Sequence, residues 1–142
     1  MAPAITDARA AERIQFVPRG RVLMVDEEPG DLDCCRTILQ GQRFEVRTCR
    51  SYGEGLRCLD TEVFDFLIVG QGSRAFEGRS VLEHATEIDR GLPVLVVTRH
   101  HDMGCYLEAM QLGAVDYLEK PLSVVEMVRV VETHLRRYKA AA

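Results

Sequence analysis

The sequence has no tryptophan, no Cys-x-x-Cys pair, no long apolar run and no excess of basic charge. The absence of any apolar run near the ~18 residues a membrane span requires excludes a membrane helix. Lys and Arg number 18 against 22 Asp and Glu, a formal charge of -4. Such a balance gives no electrostatic reason for direct nucleic-acid binding. The five cysteines, at 34, 35, 49, 58 and 105, are odd in number and two are adjacent. They read as reduced thiols of a cytoplasmic protein, not as a disulfide framework. The first twenty residues lack an apolar h-region, so they are not read as a signal peptide.

What remains is a chain of 142 residues with 46% hydrophobic residues. That length fits one domain with its own core, burying roughly two thirds of the surface of the unfolded chain. Residues 1–20, closed by Pro18 and Gly20, read as an N-terminal extension, residues 21–138 as the domain, and 139–142 as a C-terminal tail.

Within the domain, short apolar runs alternate with helical patterns. Strands are predicted at 22–25, 44–48, 64–69, 92–97 and 114–118. Three of these runs are almost continuously apolar, the mark of parallel strands covered on both faces. Between them, Pro29 fits a first helical turn, with Leu32, Cys35 and Leu39 on one face, and Cys34 joins Cys35 as a core residue. Ser51 with Glu54, Ser80 with Glu83, and Ser123 with Glu126 have capping-box spacing. Leu56 and Leu59 follow the first box, and Val81, Ala85 and Ile88 the second. Asp102 is placed to cap a helix carrying Tyr106, Leu107 and Met110 and stopped at Gly113. The last helix carries Val124, Val128, Val131, Leu135 and Tyr138 as one stripe. Gly53 and Gly55 fall in a helix start, where each weakens the turn by about 0.5–1 kcal/mol.

Strict alternation of five strands and five helices predicts a doubly wound parallel α/β sheet, a three-layer sandwich. Ligands in such sheets sit beyond the C-terminal ends of the strands. The first strand ends in Asp26-Glu27-Glu28, the fourth in Thr98, and the fifth leads into Glu119-Lys120-Pro121. Acids, a hydroxyl and a lysine gathered there suit a phosphoryl group and Mg²⁺. The third strand ends Val69-Gly70-Gln71 and offers no nucleophile.

The stretches Leu23 to Pro29, Phe64 to Val69, Leu92 to Thr98 and Glu108 to Pro121 together resemble the receiver domain of two-component response regulators, across residues 21–138. The resemblance implies a (βα)₅ fold with strand order 2-1-3-4-5. It assigns Mg²⁺ binding to Asp26 and Glu27, the phosphoryl-contacting hydroxyl to Thr98, the pocket lysine to Lys120 and the switch aromatic to Tyr117. The phosphate-accepting aspartate of the pattern falls on Gly70. Asp65, five residues earlier at the strand start, is too far away to substitute for it. Ser73-Arg74 replace the usual Met-Pro, and Arg99 stands where a small residue leaves the pocket open.

The implied function is that of a pseudo-receiver. It forms no aspartyl phosphate, requires no cofactor, keeps at most a weak or vestigial Mg²⁺ site, and acts by protein–protein interaction. Its partners are then a signalling protein, an output domain or a second copy. The surface the family uses for dimers, fourth helix, fifth strand and fifth helix, includes Met110, Gln111, Glu126, Arg129 and Arg136. The alternatives are a small-molecule or anion sensor using the vacated pocket, or a fragment of a transcriptional response regulator. No activated nucleophile marks an enzyme. At the rim with Glu28, Arg99 either faces solvent or pairs with Asp26 or Glu27. A metal site on the adjacent His100 and His101 has little support. Lys120, deprived of an acceptor carboxylate at 70, is expected to pair with Asp26 or Glu27.

Overall fold

The computed structural model describes residues 17–141, so the predicted N-terminal extension lies outside the described residues up to position 16. Ten elements alternate: β1 (Arg21–Val25), α1 (Pro29–Gly41), β2 (Glu45–Cys49), α2 (Tyr52–Thr61), β3 (Phe66–Gly70), α3 (Arg79–Ile88), β4 (Val94–Thr98), α4 (Met103–Gln111), β5 (Asp116–Glu119) and α5 (Val124–Ala141). The strands form one parallel sheet in the order β2-β1-β3-β4-β5. The direction of winding reverses between β1 and β3, which places the crevice of this fold class beyond their C-terminal ends.

Period-2 alternation along the strands divides the core between the two faces. Leu23, Val25, Leu67, Val69, Val94 and Val96 pack against α2, α3 and α4. Val22, Met24, Phe66, Ile68, Leu95 and Val97 pack against α1 and α5. All five residues of β3 and all five of β4 are buried, which explains their continuous apolar runs. Edge strand β2 alternates instead, and only Cys49 is fully buried.

Four of the five predicted strands shift toward the C-terminus, while β1 begins one residue earlier. Phe64, Leu92 and Ala114 are buried, but in the loops leading into β3, β4 and β5. Burial alone therefore lengthened those apolar runs beyond the hydrogen-bonded ladder. Of the three capping boxes, the Ser51 and Ser123 hydroxyls accept from the Glu54 and Glu126 amides at 3.2 and 3.0 Å. Ser80 caps nothing: α3 starts at Arg79 with Gly78 in the cap position. Gly78 is held there by close approach, because a Cβ on it would lie 2.1 Å from the Gly70 carbonyl oxygen. Asp102 caps α4 through the Cys105 amide at 2.9 Å, and Gly113, at φ +103°, ends that helix in a conformation glycine favours.

Several helical faces turn differently from the sequence expectation. The buried residues of α4 are Cys105 and Ala109, small enough to let the helix approach the sheet, while Leu107 and Met110 face outward. Ile88 is exposed at the end of α3. On α5 the buried residues are Met127, Val130, Val131 and Leu135, and Val124 is exposed. The stripe contacting the sheet thus runs through 127, 131 and 135 and starts one turn later than Val124. Cys34 is exposed, one residue out of phase with buried Cys35. Gly55 is buried against the sheet, where a Cβ would come within 2.7 Å of Val25 Cγ2. Its place in α2 therefore reflects packing, whatever it costs in helix propensity. The tail is helical through Ala141. Before β1, the Arg19 amide donates to the Arg43 carbonyl at 2.9 Å, so the chain is attached to the domain from that point.

Candidate functional site

Beyond the strand ends lies a cleft of about 290 Å³, lined by Asp26, Glu27, Glu28, Tyr52, Gly72, Ser73, Glu77, Val97, Thr98, Arg99 and Lys120. Asp26 is the first residue after β1, and its amide donates to the Cys49 carbonyl at 3.1 Å, continuing the ladder by one step. This bond fixes a carboxylate in a place where only 4% of the residue is exposed. Across the sheet, the Lys120 amide donates to the Thr98 carbonyl at 2.7 Å and aims the lysine back over β1. The Lys120–Pro121 peptide bond is cis.

The Lys120 ammonium donates to Asp26 Oδ2 at 2.6 Å and to Asp31 Oδ2 at 2.9 Å. Burial opposes the Lys120 charge, but the hydrogen bonds to Asp26 and Asp31 prevail and hold its pKa above the ordinary lysine value. Asp26 Oδ1 accepts the Glu28 amide at 3.0 Å, so both oxygens of that carboxylate have partners. Asp31, on the first turn of α1, is a participant that sequence reasoning missed. Its spacing offered a signal, because position 31 sits two residues past Pro29, on the turn that faces the strand ends.

Arg99 reaches over the rim to Glu28, with Nε to Oε2 at 2.7 Å, and to Asp31, with Nη2 to Oδ2 at 3.0 Å. Neither expected partner, Asp26 nor Glu27, is engaged, because α1 brings Glu28 and Asp31 to the rim while Asp26 points inward to Lys120. The Arg99 hydrogen bond, followed by one with Asp31, lowers the Glu28 carboxyl to about 2. Glu27 is exposed at the cleft wall.

Gly70 ends β3 directly beside this cluster. A Cβ on residue 70 would lie 2.7 Å from Asp26 Oδ2 and 2.9 Å from its carboxyl carbon. The space a side chain at 70 would enter is therefore filled by Asp26. Tyr52 donates its hydroxyl to the Gly70 carbonyl at 3.1 Å. The following loop is held by Glu77, which accepts from the Ser73 amide at 2.8 Å and the Ser73 hydroxyl at 2.7 Å. Those hydrogen bonds, the Ser73 hydroxyl first, lower the Glu77 carboxyl.

Thr98 is buried, and its hydroxyl donates to the His100 carbonyl at 2.9 Å. Tyr117 is also buried, its hydroxyl donating to Gln71 Oε1 and accepting from the Asp102 amide at 3.3 Å. Gln71, buried and missed by the sequence reading, links the end of β3 to that tyrosine and donates through its amide nitrogen to the Ser73 carbonyl at 3.1 Å. His101 meets Tyr117 edge-on at 5.3 Å and stacks on Tyr106 at 6.0 Å. Among the described residues, no group of three or more His, Cys, Asp or Glu side chains is placed to hold a metal ion. Asp65, at the opposite end of β3, accepts the Arg21 amide at 2.8 Å.

The pattern described as the response regulator receiver domain matches residues 22–132. The chain belongs to that family. This receiver domain is 33% identical over 132 residues to the two-component response regulator ARR11 of Arabidopsis thaliana, covering 90% of this chain and 25% of that protein. It superposes on a receiver domain protein from Clostridium thermocellum with a TM-score of 0.78 at 26% identity, covering 86% of this chain and 98% of the other. A CheY-like receiver domain from Methanospirillum hungatei gives a TM-score of 0.81 at 24% identity, covering 86% and 98%. The chain spans about a quarter of the length of the first curated relatives it matches. As a receiver domain it is a signal-transduction module. Among the described residues, no helix is long and apolar enough to cross a membrane.

Proposed function

We propose that residues 21–138 form a pseudo-receiver, which carries the fold of a phosphorylated signalling domain and works by protein–protein interaction without forming an aspartyl phosphate. The single observation behind this reading is the occupancy of the space beside Gly70. In the receiver pattern the acceptor carboxylate belongs at this position. Here the residue has no side chain, and the carboxylate of Asp26 fills the space and is neutralised by Lys120 at 2.6 Å. Asp26 and Lys120 neutralise one another, and the end of β3 offers no group to accept a phosphoryl.

The same geometry bears on Mg²⁺. The receiver pattern gives the ion two acids after β1 and a third carboxylate at 70. Here both Asp26 oxygens are engaged, Glu27 stands exposed, and residue 70 is glycine. This donor set does not fit a hard ion that prefers six oxygens, so Asp26 and Glu27 make at best a weak site. An anion sensor is also disfavoured. Asp26, Glu27, Glu28, Glu77 and Asp31 surround two cations, Lys120 and Arg99, that are already paired.

The docking surface on this reading is the α4–β5–α5 side. Gln111 is exposed there, and Met103, Leu107 and Met110 add apolar area on α4; Arg129 and Arg136 are exposed on α5 but line a groove with Gln42, at the end of α1. Exposed apolar area on one patch allows an isologous pairing with a second copy. Sedimentation equilibrium tests this surface. A dimer weakened by Leu107→Glu is expected, and a monomer at high concentration, or a dimer indifferent to Leu107→Glu, counts against it. The vacant acceptor is tested with beryllofluoride, which coordinates a free carboxylate oxygen as a phosphoryl mimic. Fluorine NMR is expected to show no protein-bound resonance in the presence of Mg²⁺; a saturable bound resonance refutes the reading.

A further inference from the structure

Two buried thiols lie outside the cleft and have no part in the reading above. Cys49 is the last residue of β2, at the edge of the sheet, and Cys58 is on α2. Their sulfurs are 3.2 Å apart, within one core cluster. A disulfide holds its sulfurs at about 2.05 Å, so bonding needs a closure of about 1.2 Å. The other three cysteines are placed differently. Cys34 is exposed, Cys35 is buried on the opposite face of the sheet, and Cys105 is on α4.

The two sulfurs have unequal surroundings. Cys49 is 1% exposed. Burial, with a smaller contribution from its hydrogen bond to Cys58, pushes its thiol up to about 12. Cys58, on α2, is 5% exposed, so it is the more accessible of the two to a small oxidant and is assigned as the attacking thiol, with Cys49 resolving.

We infer that Cys49 and Cys58 form a reversible dithiol–disulfide couple that fastens α2 to the edge strand in response to a peroxide. The Cys58 thiolate attacks one peroxide oxygen, the O–O bond breaks, and Cys58 becomes a sulfenic acid as hydroxide leaves and takes up a proton. The Cys49 sulfur then displaces the sulfenic hydroxyl, which departs as water with the Cys49 proton. Both sulfurs are oxidised by one electron each and the peroxide is reduced to two waters. The cross-link forms next to the site, because the Cys49 carbonyl holds the Asp26 amide.

The test treats the unmutated chain with hydrogen peroxide under native conditions, alkylates the remaining thiols in denaturant, and maps the digested peptides. The expected product lacks two hydrogens, joins the Cys49 and Cys58 peptides, and returns to five alkylated cysteines after dithiothreitol. Its urea midpoint lies above that of the reduced chain. Cys58→Ser removes the cross-link, and Cys34→Ser leaves its yield unchanged. Full alkylation of Cys49 and Cys58 after peroxide, oxidation confined to Cys34, or a cross-link that appears only in unfolded protein would each overturn the inference.

Discussion

Replacing Lys120 with methionine isolates the charge at the centre of the cleft. Lys120 lines an apolar pocket together with Met24, Val97, Leu122 and Met127, and a methionine of similar length suits that lining. The change therefore removes chiefly the ammonium. The side chains of Lys120 and Asp26 are 10% and 5% exposed, and they meet at 2.6 Å. Breaking one partner out of a buried pair costs roughly 3–5 kcal/mol. Asp31 moderates the loss, because its side chain is 24% exposed and keeps Arg99 at 3.0 Å. A destabilisation of about 2–3 kcal/mol is expected, just below that range. With a urea slope of about 2 kcal/mol/M, the midpoint falls by roughly 1–1.5 M. The folded pKa of Lys120 is raised, so the pair contributes fully below the ordinary lysine value of 10.5 and is lost as pH rises through the folded pKa. The difference between the proteins is therefore constant near neutrality and closes only in strong alkali. Mg²⁺ adds a second readout, since the variant frees Asp26 Oδ2 for a cation. Urea melts with and without Mg²⁺ decide the matter. Equal midpoints without the ion, or a larger Mg²⁺ stabilisation of the wild type, would refute a structural role for this lysine.

Gly55→Ala and Gly53→Ala form a contrasting pair in urea melts. The Gly55 Cβ would come within 2.7 Å of buried Val25, so overpacking of about 1–3 kcal/mol outweighs the helix gain of at most about 1 kcal/mol, and the variant is less stable. At Gly53 the nearest atom is the Arg57 guanidinium at 3.7 Å, so alanine there stabilises by about 0.5 kcal/mol; the opposite order would contradict the packing argument. Arg99→Gln removes the partner that lowers Glu28, whose folded pKa is about 2 against an ordinary 4.5. A lowered carboxyl contributes above its unfolded value, so the variant's deficit in urea is present above pH 4.5, shrinks as pH falls through about 2, and is reduced by salt; a deficit independent of pH would rule out this pairing.

The strand count, the order of elements and the two-faced burial were legible because parallel strands write continuous apolar runs, as in Phe66–Gly70 and Val94–Thr98. Helix faces were less legible. Leu107 and Met110 seemed natural core residues, but the fold buries Cys105 and Ala109, and only the helix-to-sheet distance explains that choice. Asp26, Glu28, Thr98, Arg99 and Lys120 do converge on one cleft, because they follow strand ends. Asp31 and Gln71 escaped notice because their roles depend on the direction of a first helical turn and on the depth of a loop. The pairing of Arg99 with Glu28 and Asp31 depends on the direction in which α1 leaves the end of β1, which Pro29 at its start does not specify.

The absence of an acceptor at Gly70 is tested most directly by incubating the protein with Mg²⁺ and a small-molecule phosphodonor and measuring its intact mass, alongside a receiver domain that retains the acceptor aspartate. The account predicts an unchanged mass here and a hydroxylamine-labile phosphoryl group on the control. Stoichiometric, hydroxylamine-labile addition of one phosphoryl group to this chain would contradict it.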